Sequence, residues 1–195
     1  MSKILLISGF EPFGGEVSNP SWEAVECLPD TIGEFTLVKV RLPVVFDEAA
    51  ERLLAVAEEV QPHAILCVGQ AGGGSAITPE MVGINLRHAT IPDNLGNQPK
   101  DEPVLAEGDT AYFSTLPVRK MAEAILEAGI PAQVSYSAGT FVCNEVLYRT
   151  LAHYHGTSTR AAFLHVPYAT HQGKTPALPL ETITHALTLA ILAME

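Results

Sequence analysis

The run Lys3-Ile4-Leu5-Leu6-Ile7-Ser8 is apolar at every position between its two ends. A continuous apolar run, without the alternation of a half-buried strand, is typical of a β-strand that is buried on both faces. Strands of that kind occur in parallel sheets, where helices cover both faces. The run is too short for the apolar region of a signal peptide, so we interpret it as the first strand of an α/β fold.

Downstream of this strand, helical and strand patterns alternate. Asn19 and Pro20 predict a helix start, because Asn is a favoured capping residue and Pro is favoured in the first turn. Residues 35–42 alternate as a strand, Asp47 is placed to cap a helix over 48–60, and residues 63–69 are a second buried strand. The order β-α-β-α-β predicts a three-layer α/β/α sandwich with a mixed, largely parallel central sheet.

The second half of the chain continues this pattern after a turn-rich insertion. Residues 70–110 are dominated by turn residues but keep apolar content, which indicates a functional segment. We expect helices over 117–128 and 180–194, and strands over 133–137 and 161–166. Because no linker or internal repeat interrupts the sequence, residues 1–195 are expected to form a single α/β domain.

The charge and the cysteines restrict the partners and the compartment. The 195 residues include 11 Lys and Arg against 22 Asp and Glu, a formal net charge of −11. Nucleic acids and anionic membrane surfaces attract basic patches, so neither is an expected partner. No apolar run approaches the roughly 20 residues of a spanning helix. Three cysteines without a C-x-x-C spacing argue against disulfides and thiolate metal sites, and favour a reducing cytoplasm.

The stretch SAGTFVCNEVLY over residues 137–148 combines a tight turn with a helix start. Small residues form the turn, and Cys143 falls in the first helical turn. Unpaired backbone N–H groups and the helix dipole favour an anion there, and therefore a reactive thiolate. A buried, unreactive thiol is the alternative that the local pattern leaves open.

A thiolate nucleophile needs a base, and His165 is the best placed of the seven histidines. Its strand ends at Pro167, and ligands of open α/β sheets bind beyond the carboxyl ends of the strands. A hydrogen-bonded structural histidine is the alternative interpretation. A carboxylate would orient the imidazole, but spacing does not choose between Glu80 and Asp93, which both lie in the turn-rich segment.

Other strand ends supply aromatic and polar side chains. Phe10, Phe13 and Gln70 follow the first and the third predicted strands. The glycine-rich segment 69–75 matches neither the dinucleotide-binding nor the phosphate-loop pattern, and no H-E-x-x-H motif is present. We therefore expect a small-ligand site without metal or cofactor.

Five motifs, in order along essentially the whole chain, resemble those of the type I pyroglutamyl peptidases, also called pyrrolidone carboxyl peptidases. They are SGFEPFGG at 8–15 with NPS at 19–21, TPE at 78–80, IPDN at 91–94 with GNQP at 96–99, SAGTFVCN at 137–144, and FLHVPY at 163–168. The resemblance implies a cysteine omega-peptidase that removes an N-terminal pyroglutamyl residue from peptides. It implies Cys143 as nucleophile, His165 as base and Glu80 as the residue that orients the histidine. It also implies an α/β/α sandwich, metal-free and cofactor-free, cytoplasmic and often homotetrameric.

A pyroglutamyl ring is small, flat and neutral, with one lactam N–H and one lactam C=O. A selective site needs apolar walls and matched polar groups, because unpaired buried groups reject analogues. We expect Phe10, Phe13 and Val142 to form the walls and the Gln70 amide to bind the lactam carbonyl. By the resemblance, the backbone around Ile91 accepts the lactam N–H.

The expected mechanism is attack by the Cys143 thiolate on the carbonyl that follows the ring, with His165 protonating the leaving amine. Water activated by the same histidine then hydrolyses the thioester. Family members commonly carry an arginine just before the Ile-Pro-Asp-Asn motif, whereas this chain has Thr90. Whether Arg87, three residues earlier, substitutes for it is open at this point.

Two other functions fit the same fold class. One is a non-catalytic small-ligand binding protein in which Cys143 is merely packed. The other is a thiol amidase that acts on a different acyl group. Both are distinguished from the peptidase by turnover of pyroglutamyl amides.

Overall fold

The computed structural model describes residues 3–195. Its strands are β1 (Lys3–Phe10), β2 (Thr31–Ile32), β3 (Phe35–Leu42), β4 (Ala64–Gln70), β5 (Thr78–Glu80), β6 (Val82–Ile84), β7 (Ala111–Phe113), β8 (Arg160–Val166), β9 (Tyr168–Ala169) and β10 (Ala177–Leu178). Its α-helices are α1 (Pro20–Glu26), α2 (Glu48–Val60), α3 (Val118–Glu127), α4 (Val142–His153) and α5 (Leu180–Leu192).

A six-stranded sheet in the order β2-β3-β1-β4-β8-β5 forms the middle of the molecule. The four central strands are parallel, whereas the two outer strands, β2 and β5, run antiparallel to their neighbours. The predicted mixed, largely parallel sheet is therefore confirmed. The carboxyl ends of β1, β4 and β8 lie side by side, because Ser8 is paired with Cys67, and Gly69 with His165.

Helices cover both faces of this sheet, which gives the predicted three layers. Helices α1, α3 and α5 share one buried cluster with the sheet, and α2 and α4 share another on the opposite face. The apolar spacing explains the packing: Ile183, Leu187 and Ile191 recur every fourth residue along α5 and are fully buried. Because β1, β4 and β8 are covered on both sides, their sequences are apolar runs.

The helix starts agree with the predictions at one position and correct them at another. Asn19 caps α1, and its side chain accepts a hydrogen bond from the Ser21 N–H over 3.1 Å. Asp47 precedes α2 but makes no capping bond. Its carboxylate accepts hydrogen bonds from Arg87 and Arg149 instead. The two charged guanidinium groups therefore bind this carboxylate in place of the backbone N–H groups at the start of α2.

The predicted strand over 133–137 is wrong as a regular strand. The segment runs beside β5, but only isolated bridges pair Ala132 with Ile77 and Ser135 with Glu80. The neighbouring strand is three residues long and contains Pro79, which has no N–H to donate. A continuous ladder therefore cannot form, and the segment turns away toward the start of α4.

Candidate active site

Helix α4 begins at Val142, so Cys143 is its second residue, as the sequence pattern predicts. Val142 and Val146 are buried against the sheet and hold the helix start at the carboxyl ends of the strands. The buried Asn144 side chain accepts from the Ile84 N–H over 3.0 Å and donates to the Ile84 carbonyl over 2.9 Å. These contacts fix the first turn of α4, where the backbone N–H groups have no partner within the helix.

The side chains of His165 and Glu80 meet because β5 pairs with β8. Glu80 lies opposite Phe163, which places it diagonal to His165, two residues further along β8. The His165 Nδ1 and the Glu80 Oε1 are 2.7 Å apart, and both side chains are buried. Because a carboxylate only accepts, Nδ1 carries the proton and the Nε2 edge of the ring is left for another partner.

The second hydrogen-bond partner of the His165 ring is Cys143. Burial alone would lower the pKa of this histidine, since it disfavours the charged form. The hydrogen bonds and negative charges of Cys143 and Glu80 outweigh burial and raise the pKa of His165 to about 9. At neutral pH the ring is therefore an imidazolium, protonated on both nitrogens, and it lies between a sulfur and a carboxylate.

Asp93, the other candidate carboxylate, does not take part in this arrangement. Its oxygens accept hydrogen bonds from the backbone N–H groups of Phe46, Leu95 and Asn97 and from the Asn97 side chain. Burial acts to raise the pKa of Asp93, but these bonds outweigh it and lower the pKa. Asp93 therefore builds the loop over 91–97 and leaves Glu80 as the partner of the histidine.

A small cavity of about 120 Å³ opens beside the Cys143 sulfur. This is well below the roughly 300–1,000 Å³ of pockets that hold drug-sized ligands. Its lining is mainly apolar and comprises Phe10, Phe13, Asn19, Val44, Gln70, Ala138, Phe141, Val142, Cys143 and His165. The cavity fits one small, flat group placed next to the Cys143 sulfur.

Gly69 lets the sulfur approach the sheet. A Cβ built on this residue would lie 2.9 Å from the Cys143 Sγ and 2.7 Å from the Cζ of Phe163. Real Cβ atoms do not make such contacts, so any side chain at residue 69 would displace the thiol or the aromatic ring. The absence of a side chain here is a requirement of the site.

Four of the five expected binding residues, namely Phe10, Phe13, Gln70 and Val142, line the cavity. Ile91 does not, and its side chain is 44% exposed. Sequence reasoning missed Phe141, whose ring packs edge-on against Phe46 at 5.3 Å between centroids. Its place beside Val142 in the cysteine motif was a usable signal, whereas nothing in the sequence pointed to Val44.

The position of Arg87 shows whether it can substitute for the arginine that Thr90 replaces. Arg87 donates two hydrogen bonds to Asp47, at 3.0 and 2.7 Å, and its Nε lies 3.2 Å from Glu145. It is absent from the cavity lining, since the Phe46 and Phe141 rings stand between. Arg87 therefore joins α2 to α4 and does not replace an arginine at residue 90.

The other two thiols differ from Cys143. Cys67 is buried, and burial raises its pKa to about 12, with the negative charge of Cys143 acting in the same direction. Cys27 is exposed and lies outside the cavity. Of the three cysteines, only Cys143 both interacts with His165 and lines the small cavity.

Nowhere in residues 3–195 do three or more His, Cys, Asp or Glu side chains gather so that they could hold a metal ion. Over the same residues, every helix is too short or too polar to cross a membrane.

Comparisons with known proteins agree on one family. A family model described as pyroglutamyl peptidase matches residues 3–195. A pyrrolidone-carboxylate peptidase of Streptococcus pyogenes is 46% identical over 196 residues, which cover 97% of this chain and 91% of that protein.

Solved structures give the same result. The pyroglutamyl peptidase I of Bacillus amyloliquefaciens superimposes with a TM-score of 0.95 at 44% identity, covering 100% of this chain and 95% of its own. A mutant pyrrolidone carboxyl peptidase of Pyrococcus furiosus superimposes with a TM-score of 0.93 at 40% identity, covering 98% and 97%.

Proposed function

The chain belongs to the pyroglutamyl peptidase family and hydrolyses N-terminal pyroglutamyl residues from peptides, and we propose that Cys143, His165 and Glu80 carry out this reaction. The observation that supports these roles is the buried His165 ring, held between Glu80 and the Cys143 thiol beside a small apolar cavity. Nucleophile, base and orienting carboxylate are the three parts that such a mechanism needs.

In the first step, the Cys143 thiolate attacks the carbonyl carbon that links the pyroglutamyl ring to the next residue. The electron pair of that carbonyl moves to oxygen, and the Cys143 backbone N–H at the start of α4 donates to the oxyanion. The C–N bond then breaks as the protonated His165 gives its Nε2 proton to the leaving amine. The peptide leaves with a free N-terminus, and a pyroglutamyl thioester stays on Cys143.

In the second step, water hydrolyses the thioester. His165, now neutral, accepts a proton from the water as its oxygen attacks, and the C–S bond breaks to release pyroglutamate and restore the thiolate and imidazolium. Glu80 holds the ring in the required tautomer through both steps and stabilises its positive charge. The reaction needs no metal or cofactor.

The cavity supports selection of a lactam ring. Phe10, Phe13 and Val142 provide apolar walls, and Gln70 provides the polar contact to the lactam carbonyl. We assign the acceptor of the lactam N–H to the backbone around Ile91, on the family resemblance alone. The ring carries no α-amino charge, and the cavity lining contains no Asp, Glu, Lys or Arg that would serve a charged end.

Turnover of matched fluorogenic amides tests this function. The reduced enzyme should hydrolyse the pyroglutamyl amide and should leave the prolyl and acetyl amides of the same fluorophore almost untouched, because they lack the lactam. Equal cleavage of the acetyl amide would indicate a general thiol amidase. No turnover of the pyroglutamyl amide by reduced, folded protein would contradict the proposal.

We propose further that residues 1–195 act as one catalytic domain and assemble as a homotetramer in the cytoplasm. A reducing compartment suits a catalytic free thiol. Exposed aromatic side chains at Phe113 and Tyr136, 69% and 62% exposed, provide apolar surface for association. Light scattering on the purified protein should give a mass four times that of the chain, and a monomer mass would contradict this assembly.

A further inference from the structure

Gln172 lies in the 3-10 turn Thr170–Gln172, just after β9, and its side chain reaches the wall of the cavity. Its Nε2 donates a hydrogen bond to the Oε1 of Gln70 over 3.0 Å. Gln70 is buried at the end of β4 and lines the cavity. The residue proposed to bind the lactam carbonyl is therefore itself held by a second glutamine.

Two backbone groups fix the orientation of the Gln172 amide. Its Oε1 accepts from the Ala169 N–H over 2.9 Å, and its Nε2 also donates to the Ser18 carbonyl over 3.5 Å. A backbone N–H only donates and a backbone carbonyl only accepts. A reversed amide would lose both bonds and would set its NH₂ group against the Ala169 N–H. Gln172 must therefore present a donor to Gln70.

This donor determines which end of the Gln70 amide faces the cavity. An amide carries its acceptor on one side and its two donors on the other. With Oε1 held by Gln172, the Nε2 of Gln70 is turned toward the cavity as a donor. We propose that Gln172 is a positioning residue that orients the Gln70 amide to bind the lactam carbonyl. This inference rests on the proposed function.

The segment that carries Gln172 is anchored on both sides of the turn. His171 Nε2 lies 3.1 Å from a Glu23 carboxylate oxygen, and Lys174 pairs with Glu16. Tyr168 packs against the glycine-rich loop, where a Cβ on Gly72 would meet its hydroxyl at 2.2 Å. These contacts hold the Gln172 side chain in place before substrate arrives, which is the condition for pre-organised binding.

Two near-isosteric variants separate orientation from packing. Gln172→Met keeps the length of the side chain but removes the donor, so the Gln70 amide is free to turn over. Gln172→Glu keeps the acceptor for Ala169 but places a carboxylate oxygen against Gln70, which favours the reversed amide and sets an oxygen against the lactam carbonyl. Gln133→Glu adds the same charge at an exposed position and serves as the control.

The readouts are the inhibition constant of 2-pyrrolidone, the isolated lactam ring, and the KM and kcat for the pyroglutamyl amide. We expect Gln172→Met to raise the inhibition constant and KM about three- to tenfold, and Gln172→Glu to raise them at least about thirtyfold. Because the lactam is bound alike in ground and transition states, kcat should stay within about threefold. Neither the inhibition constant nor KM depends on the folded fraction of the sample.

A double variant shows whether Gln172 acts through Gln70. In the Gln70→Met background, Gln172→Met should change the inhibition constant less than twofold, since no amide is left to orient. An undiminished effect in that background would overturn the proposal. So would a wild-type inhibition constant in both single variants, or a loss of kcat alone. Failure of the wild type to cleave the pyroglutamyl amide would instead overturn the proposed function.

Discussion

At the scale of single residues, the account depends on the charge that Glu80 places beside His165. Glu80→Gln keeps the hydrogen-bond acceptor for Nδ1 but removes the negative charge, so the imidazolium is less stable. The pKa of His165 is raised above its usual range, so activity that requires the protonated ring is present at neutral pH and lost as the pH rises through about 9. In Glu80→Gln, the pH at which this activity is lost on alkalinisation should therefore be lower than in the wild type.

The measurement is the pH profile of kcat/KM for both proteins. We expect the alkaline limb of Glu80→Gln to move to lower pH and its kcat/KM at neutral pH to fall at least about tenfold. Glu59→Gln, which removes an exposed acid, should match the wild type. An unchanged profile and unchanged turnover in Glu80→Gln would remove Glu80 from the mechanism.

Gly69 is a second residue on which the site depends, because it has no side chain to collide with the Cys143 sulfur. The methyl group of Gly69→Ala would push the Cys143 sulfur away from its place, and a displacement of about 1 Å can cost about a hundredfold in rate. We expect kcat to fall by about that factor. The steric overlap with Phe163 should also destabilise the fold by about 1–3 kcal/mol.

Steady-state kinetics and urea unfolding of Gly69→Ala measure the two effects. Gly74→Ala is the control, since its added methyl meets only a backbone oxygen at 3.3 Å. A wild-type kcat for Gly69→Ala would show that the sulfur does not need the space this glycine leaves.

At the scale of elements, the junction of α2 and α4 is stabilised by buried charge. Glu145, on α4, is 1% exposed, and burial raises its pKa although Arg87 acts to lower it. Arg87→Met would leave this carboxylate without its closest cation. Removing one partner of a buried pair costs about 3–5 kcal/mol, so we expect a loss of about 3 kcal/mol in the free energy of unfolding.

Urea unfolding and kinetics of Arg87→Met distinguish a structural from a catalytic arginine. The folded variant should retain kcat/KM within about threefold, because Arg87 does not line the cavity. The exposed Arg52→Met is the control and should leave both quantities unchanged. If Arg87→Met kept its stability and lost its activity, Arg87 would be doing the work of the arginine that Thr90 replaces.

At the scale of the whole molecule, local patterns predicted the layers and the strand ends. The apolar runs of β1 and β4 and the helical spacing of α2 and α5 are local signals, and the structure bears them out. The prediction of a strand over 133–137 was wrong because the pairing of this segment depends on a proline in the neighbouring strand. The strand-end rule also indicated which edge of the sheet would hold the site.

Contacts between distant segments were not predictable in the same way. Spacing could not choose Glu80 over Asp93, since the choice depends on the pairing of β5 with β8, across 85 residues of sequence. The resemblance implied Glu80, and the structure places the Glu80 Oε1 at 2.7 Å from the His165 Nδ1. The bond between Gln70 and Gln172, 102 residues apart, had no local signal at all.

The central claim is that Cys143 is the nucleophile of a pyroglutamyl peptidase. Its most direct test is the turnover of a fluorogenic pyroglutamyl amide by wild type, Cys143→Ala and Cys27→Ala under reducing conditions. We expect Cys143→Ala to retain at most about a thousandth of wild-type kcat, and Cys27→Ala, which loses an exposed thiol outside the cavity, to retain it fully. Turnover by Cys143→Ala close to that of the wild type would contradict the account.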